Sequence, residues 1–310
     1  MKPLIDVLII GGGPGGLSVA TGVARQLYTA VVFDSMVYRN MRTDHMHNVL
    51  TWDHRSPGDF RAKGRADLAA RYNTVTFENT KIDSIKRLDT GHFEATDAKG
   101  RIWTGKKVVL AVGCHDIMPE IPGYDEAWGR GIYHCLFCDG YEDRGVESAA
   151  VLAIGDIAKL PPALHLSRMA KRLTSNVTVY VDGNQELAKQ IKESLGNDPV
   201  ISVDERRISR LEKVSKQTSE IILHMEDGTK VSHGFIVHKP KSKVNGNFVE
   251  QLSLELNEMG VIKTTQPFYE TTAKGVFAVG DCASPMPAVM NAVAQGTFAA
   301  GGLAAALGAE

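Results

Sequence analysis

A short glycine cluster behind an apolar run dictates most of what the first part of this chain can become. Residues 4–10, LIDVLII, are continuously apolar except for one aspartate, which suits a strand buried on both faces of a parallel sheet. GGGPGG follows at 11–16, and LSVATGVARQL behind it carries apolar residues at helical spacing. Strand, glycine turn and helix in this order make the dinucleotide-binding turn. Gly11, Gly13 and Gly16 fit G-x-G-x-x-G: the first permits the tight turn, the second lets the backbone approach a pyrophosphate, and the third lets helix pack on strand. The N-terminus of the helix then faces the phosphates. A second strand, AVVFD, ends at Asp34, where an acid can accept a hydrogen bond from a ribose hydroxyl and disfavours a 2′-phosphate.

With 310 residues the chain has room for two domains of ordinary size. A formal charge of −1 provides no field for nucleic acid or an anionic membrane, so small partners are expected. The apolar run near the N-terminus is too short to span a membrane and runs directly into glycines without a small-residue cleavage site, so it reads as a first strand. The Ala-rich stretch VMNAVAQGTFAAGGLAAAL contains Asn291, Gln295 and three glycines and reads as a packed helix. Four cysteines make no disulfide scaffold, and a cytoplasmic location is expected.

Two of those cysteines, Cys135 and Cys138, stand in HCLFCDGYE. A Cys-x-x-Cys pair serves as zinc ligands, as an inert pair or as a redox dithiol. Structural zinc needs four ligands, and Cys114 and Cys282 are isolated, each following a turn, so they read as small core residues and no metal is expected. His134 is placed to act on a thiol as a base or to hydrogen-bond at a domain seam. The pair is expected to open a helix, which would favour a thiolate, with Asp139 able to cap that helix. Nothing in the sequence places His45, His47 or His115.

Four motifs carry a resemblance: GGGPGG, then AVGCHDIMPEIPG, then WGRGIYHCLFCDG, and finally GVFAVGDC with AQG in the helix behind it. In this order they resemble the low-molecular-weight thioredoxin reductases, class II pyridine nucleotide-disulfide oxidoreductases, over nearly the whole chain. The resemblance implies an α/β protein of two three-layer, Rossmann-like domains. An FAD domain (1–117 plus 245–310) would be interrupted by an inserted domain (118–244) that carries the thiol pair. It implies FAD, a homodimer, and electron exchange between the flavin and the pair. By position, Gly11, Gly13, Pro14, Gly15, Gly16, Asp34, Ala111, Gly113, Gly280, Asp281, Gln295 and Gly296 fall where that family holds FAD. Ser35, Arg39, Asn40 and His47 are further flavin candidates in a segment that departs from the bacterial reductases. Asp139 stands where those reductases keep an acid that serves proton transfer.

The inserted domain reads poorly for a nicotinamide. In SAAVLAIGDIAKLPPALHLSRMA, Ala153 replaces the first glycine of the expected turn, with Gly155 and Ala158 at the other two positions. Pro161-Pro162 is expected in the second turn of a helix, where it would block winding. Asp182-Gly183-Asn184 stands in place of a basic cluster for a 2′-phosphate, although Asp182 could still hold a ribose diol. The chain is therefore similar to thioredoxin-reductase-like dithiol oxidases of natural-product pathways, of the gliotoxin and holomycin type, also in FDS-x-x-YRN at 33–40. That similarity implies a small dithiol metabolite as substrate, molecular oxygen as acceptor and hydrogen peroxide as product. It also implies catalytic residues Cys135, facing substrate, and Cys138, facing flavin, supported by His134 and Asp139. The rivals are an NAD(P)H-dependent disulfide reductase and a non-catalytic flavin sensor.

Overall fold

The computed structural model describes residues 3–310 and divides into two compact units. One comprises the chain up to residue 41 with 49–115 and 242–310, and the other comprises 42–48 and 116–241. Five helices exceed two turns among the described residues: α1 (Pro14–Ala24), α2 (Pro57–Arg71), α3 (Leu160–Ala170), α4 (Gln185–Leu195) and α5 (Val289–Gly308).

In the first unit the strand Ile5–Ile10 lies between Ala30–Phe33 and Ile102–Leu110, all parallel, with Val75–Glu78 and Val276–Ala278 outside them. Alternation along a strand sends successive side chains to opposite faces. Accordingly Val7 and Ile9 pack with Leu17, Val23 and Leu303 from α1 and α5, whereas Leu8 and Ile10 pack with Ile85, Phe93 and Trp103. The latter face is covered by an antiparallel pair, Ile82–Arg87 with Phe93–Asp97. Val7, Leu8 and Ile9 are fully buried, each worth about 1.5–3 kcal/mol relative to exposure. The Ala-rich stretch forms α5, and a Cβ on Gly296 would stand 2.5 Å from the Gly15 carbonyl oxygen of α1, so small residues let the two helices approach. No described helix is long and apolar enough to cross a membrane.

The second unit repeats the plan. Five parallel strands run in the order Ile201–Asp204, Asn176–Tyr180, Ser148–Leu152, Phe235–Val237 and Ile132–Tyr133. Helices α3 and α4 contribute Ala163, Leu164, Leu187 and Ile191 to its core. The turn Asp227-Gly228 joins two strands of a separate antiparallel sheet, Ile221–Met225 and Lys230–His233, with Ile208–Lys213 as its third strand. This is the expected α/β class with two Rossmann-like sheets.

The structure corrects the expectation for Pro161-Pro162. Helix α3 begins at Leu160, so both prolines lie in its first turn, where a missing N–H breaks no intrahelical bond and the fixed φ suits the helix. Residues 42–48, expected inside the FAD domain, group with the second unit. Arg42 bonds the Asp125 carbonyl at 2.7 Å and its carboxylate at 3.0 Å, and Thr43 Oγ1 donates to Asp139 at 3.3 Å.

Candidate active site

The glycine turn of the first unit has the shape its sequence demands. Gly11 has φ +118°, and a Cβ there would lie 2.2 Å from the Ala111 carbonyl oxygen. At Gly16 a Cβ would lie 1.9 Å from the Gly11 carbonyl oxygen, which is the close packing of helix on strand required of a third glycine. A Cβ on Gly13 meets nothing within 4 Å, so the backbone there borders open space at the N-terminus of α1, where Pro14 opens the first turn. A pyrophosphate fits this combination, since early helix N–H groups lack intrahelical acceptors.

Around that turn the candidate flavin residues are tied into one another. Asp34 is buried, and its carboxylate accepts from the Met36 N–H at 2.9 Å and from the Tyr38 hydroxyl at 2.6 Å. Burial and this carboxylate push the Tyr38 phenol up to about 12. Arg61 lies 3.7 Å over the Tyr38 ring and donates to Asn40 Oδ1 at 2.9 Å. Ser35 Oγ accepts from the Val37 N–H at 3.4 Å, and Arg39 bridges to Asp281 at 3.0 Å. Gln295 is buried and accepts from the Gly280 N–H at 2.7 Å, Ala111 N–H bonds the Ile10 carbonyl, and the Gly113 carbonyl accepts from Asn245. Asp34 thus orders the loop behind it as well as facing the turn. Tyr38 and Arg61 are supporting residues that no spacing in the sequence signals. Cys114 and Cys282 are buried and bond backbone carbonyls, and burial pushes the Cys282 thiol up to about 12, so both are inert core residues.

In the second unit Cys135 and Cys138 form a disulfide, with Cα atoms 5.3 Å apart. The expected helix is absent. The Cys135 carbonyl accepts from the Cys138 and Asp139 N–H groups at 3.2 and 3.0 Å, closing one turn that ends at Gly140 with φ +122°. Asp139 therefore caps no helix. The Cys138 N–H also points at Cys135 Sγ, 3.2 Å away, a donor that would support negative charge on that sulfur. Leu136 is buried and Phe137 exposed. The His134 ring lies 5.8 Å from that of Trp128.

His47, a flavin candidate from sequence, stands on the dithiol loop. Its Nδ1 is 2.6 Å from the Cys138 carbonyl oxygen and its Nε2 is 3.2 Å from Glu142. A carbonyl only accepts, so Nδ1 carries a proton. Burial pushes the Asp139 carboxyl up to about 6, opposed by the Thr43 hydroxyl and His47 and reinforced by Glu142 and Asp143. Asp143 accepts from the Tyr133 hydroxyl at 2.8 Å. His45 and His115 are exposed, the latter bonding Asn245 at 2.9 Å.

The second unit's own nucleotide turn is altered in a different way. Ala153 is fully buried and donates its N–H to the Tyr180 carbonyl at 2.8 Å. A short 3₁₀ turn, Gly155–Ile157, precedes α3, whose capping residue Lys159 makes no side-chain capping bond. Pro161 and Pro162 bring no N–H, and Ala163 N–H is used by the Lys159 carbonyl at 3.1 Å. Of the first-turn donors that cradle a pyrophosphate in this fold, Leu160 N–H alone is left to this helix. Asp182 accepts from the Ile208 N–H at 2.8 Å, and Arg206 is paired with Asp204 and Asp227.

A glycine turn of dinucleotide type in one unit and a Cys-x-x-Cys disulfide in the other define a disulfide-linked redox enzyme on paired Rossmann-like sheets. The chain belongs to the pyridine nucleotide-disulphide oxidoreductases, matching that family over residues 5–296. It is 46% identical over 307 residues to thioredoxin reductase aclD of Aspergillus oryzae, covering 98% of this chain and 97% of that one. Against thioredoxin reductase sirT of Leptosphaeria maculans it is 40% identical, covering 97% and 93%. Among solved structures, HlmI superposes with a TM-score of 0.89 at 27% identity over 100% of this chain and 94% of that one. An oxidoreductase from Agrobacterium tumefaciens superposes at 0.85, also at 27% identity, over 98% and 99%. The protein is accordingly an oxidoreductase of thioredoxin reductase-like type, in a family of flavoproteins.

Proposed function

We propose that the protein is an FAD-dependent dithiol oxidase that closes an intramolecular disulfide in a small dithiol natural product, with molecular oxygen as acceptor. The net reaction converts dithiol and O₂ to disulfide and H₂O₂. The observation that carries this reading is the N-terminus of α3, where Pro161 and Pro162 remove two of the donors that a nicotinamide dinucleotide's pyrophosphate would need. Without that source, electrons enter from the thiol side. A cytoplasmic homodimer completes the proposal.

When bound, FAD supplies a two-electron store able to take electrons from a dithiol and yield them to oxygen. Gly11, Gly13, Gly15 and Gly16 would cradle its pyrophosphate, with Asp34 beside the turn and Arg39, Asp281 and Gln295 bordering it. At the other site, a substrate thiolate attacks Cys135 Sγ and forms a mixed disulfide, while Cys138 leaves as thiolate with the pair of the broken bond. The second substrate thiol then attacks the substrate sulfur of that mixed disulfide, closes the product and frees Cys135. His134, beside Cys135, deprotonates the incoming thiol. Asp139 holds or releases a proton near the emerging Cys138 thiolate.

A second reading has its own support: the relatives at 46% and 40% identity are named thioredoxin reductases, which implies electrons arriving from NAD(P)H. One anaerobic experiment separates them. Mixed first with NADH or NADPH, the yellow protein is expected to keep its oxidised flavin band. A small dithiol then bleaches it, and air restores colour with one peroxide per disulfide formed. Rapid bleaching by a nicotinamide would establish the reductase instead, and no response to either reagent would favour a sensor.

A further inference from the structure

We propose that His47 is a positioning residue for the dithiol loop that acts through Asp139: held between the Cys138 carbonyl and the Glu142 carboxylate, its imidazole sets whether Asp139 keeps its proton while the Cys135–Cys138 bond opens and closes. This rests on the reading that the disulfide exchanges with a dithiol.

The geometry has three parts. First, His47 lies 91 positions from Cys138 in sequence yet bonds that residue's carbonyl at 2.6 Å, so a segment remote from the motif fixes the loop's backbone. Second, both ring nitrogens face oxygen atoms, Nδ1 the carbonyl and Nε2 the Glu142 carboxylate at 3.2 Å, so the ring is held from both edges. Third, Asp139 sits inside this charge pattern. His47 favours its ionised form, Glu142 and Asp143 oppose it, Thr43 Oγ1 donates to it at 3.3 Å, and the Tyr133 phenol acts from beyond Asp143.

The chemistry needs such a device. When a thiolate bonds to Cys135, Cys138 departs with the electron pair of the old bond, and negative charge appears one residue before Asp139. A protonated Asp139 can give up its proton there and become carboxylate, while an ionised one repels the new charge. Removing His47 shifts Asp139 toward the protonated form, and removing the Glu142 carboxylate shifts it the other way.

The test follows disulfide opening in the holoprotein. The protein is mixed with dithiothreitol across the acid-to-neutral range, quenched in acid and alkylated, and the opened fraction is read by mass, independently of flavin colour. The wild-type profile is expected to carry a step near pH 6 that Asp139→Asn removes. Dividing by the Asp139→Asn profile cancels the reagent's own titration. His47→Asn keeps a donor for the Cys138 carbonyl yet should raise the step by about one pH unit, as should His47→Ala, while Glu142→Gln should lower it. Shifts of opposite sign mark electrostatic positioning, because simple damage to the loop would move both variants alike. A wild-type disulfide that dithiothreitol leaves closed overturns the functional reading and this inference with it. A disulfide that opens, with a step unmoved or moved the same way in both variants, overturns this inference alone.

Discussion

Cys138→Ser should leave a folded, yellow protein that no dithiol can bleach. With no disulfide to attack, the substrate thiolate has no sulfur acceptor and Cys135 has no partner to expel, so dithiol-driven flavin reduction is expected to fall on the order of 10³-fold or more. The fold should survive. Cys135 and Cys138 close a loop with a sequence separation of 3, whose chain-entropy contribution is about 2 kcal/mol at most. The surrounding turn is held by backbone bonds to the Cys135 carbonyl and by His47 on the Cys138 carbonyl, none of which needs sulfur. Stopped-flow absorbance with a small dithiol, together with the flavin content of the purified variant, checks this. Persistent bleaching at the wild-type rate would place the electron entry elsewhere in the chain. Loss of flavin would mean that the pair supports the cofactor site directly.

Substitutions within the glycine turn should separate ligand from fold. At Gly16 an added Cβ would stand 1.9 Å from the Gly11 carbonyl oxygen and 3.3 Å from Ile9 Cγ2, and the clashing atom is backbone that cannot swing aside. Gly16→Ala should therefore destabilise the first unit by on the order of 3 kcal/mol, and Tm should fall by roughly 5–10 °C whether or not flavin is present. At Gly13 the added Cβ meets no protein atom within 4 Å. Gly13→Ala should thus leave the flavin-free protein at the wild-type Tm and act only on the ligand that approaches the backbone there, weakening FAD binding by about tenfold or more. Thermal unfolding with and without FAD reads both variants. Equal Tm losses without FAD would remove the reason for assigning the cradle to a pyrophosphate.

The parts of this molecule that were legible in its sequence are those determined within a few residues. GGGPGG behind LIDVLII fixes a backbone path, because Gly11 at φ +118° and Gly16 against the Gly11 carbonyl admit no side chain. The continuous apolar strands and the Ala-rich helix were equally local. Three features were not. Proline is neutral in a helix's first turn and disruptive one turn later, so the effect of Pro161-Pro162 depended on a boundary that periodicity places only within a few residues. The turn after Cys135 ends because of the conformation of Gly140, and D-G serves a loop or a cap equally well. His47 was placed by position among the flavin candidates, and its hold on the dithiol loop was not legible. Its bond to Cys138 spans 91 residues and exists only once residues 42–48 pack with the second unit, which no short-range pattern encodes. Asp34 lay in between: its place at the strand end was readable, and its bond to the Tyr38 hydroxyl was not.

The prolines of α3 have a consequence for how the second unit responds to its surroundings. A domain that binds a metabolite gains stability in proportion to the logarithm of that metabolite's concentration, so its melting point follows the supply. Pro161 and Pro162 instead restrict the unfolded chain, a contribution present at every concentration of every ligand. The second unit's thermal stability should therefore be indifferent to the nicotinamide pool, leaving the enzyme equally sound in a starved cell and a well-fed one.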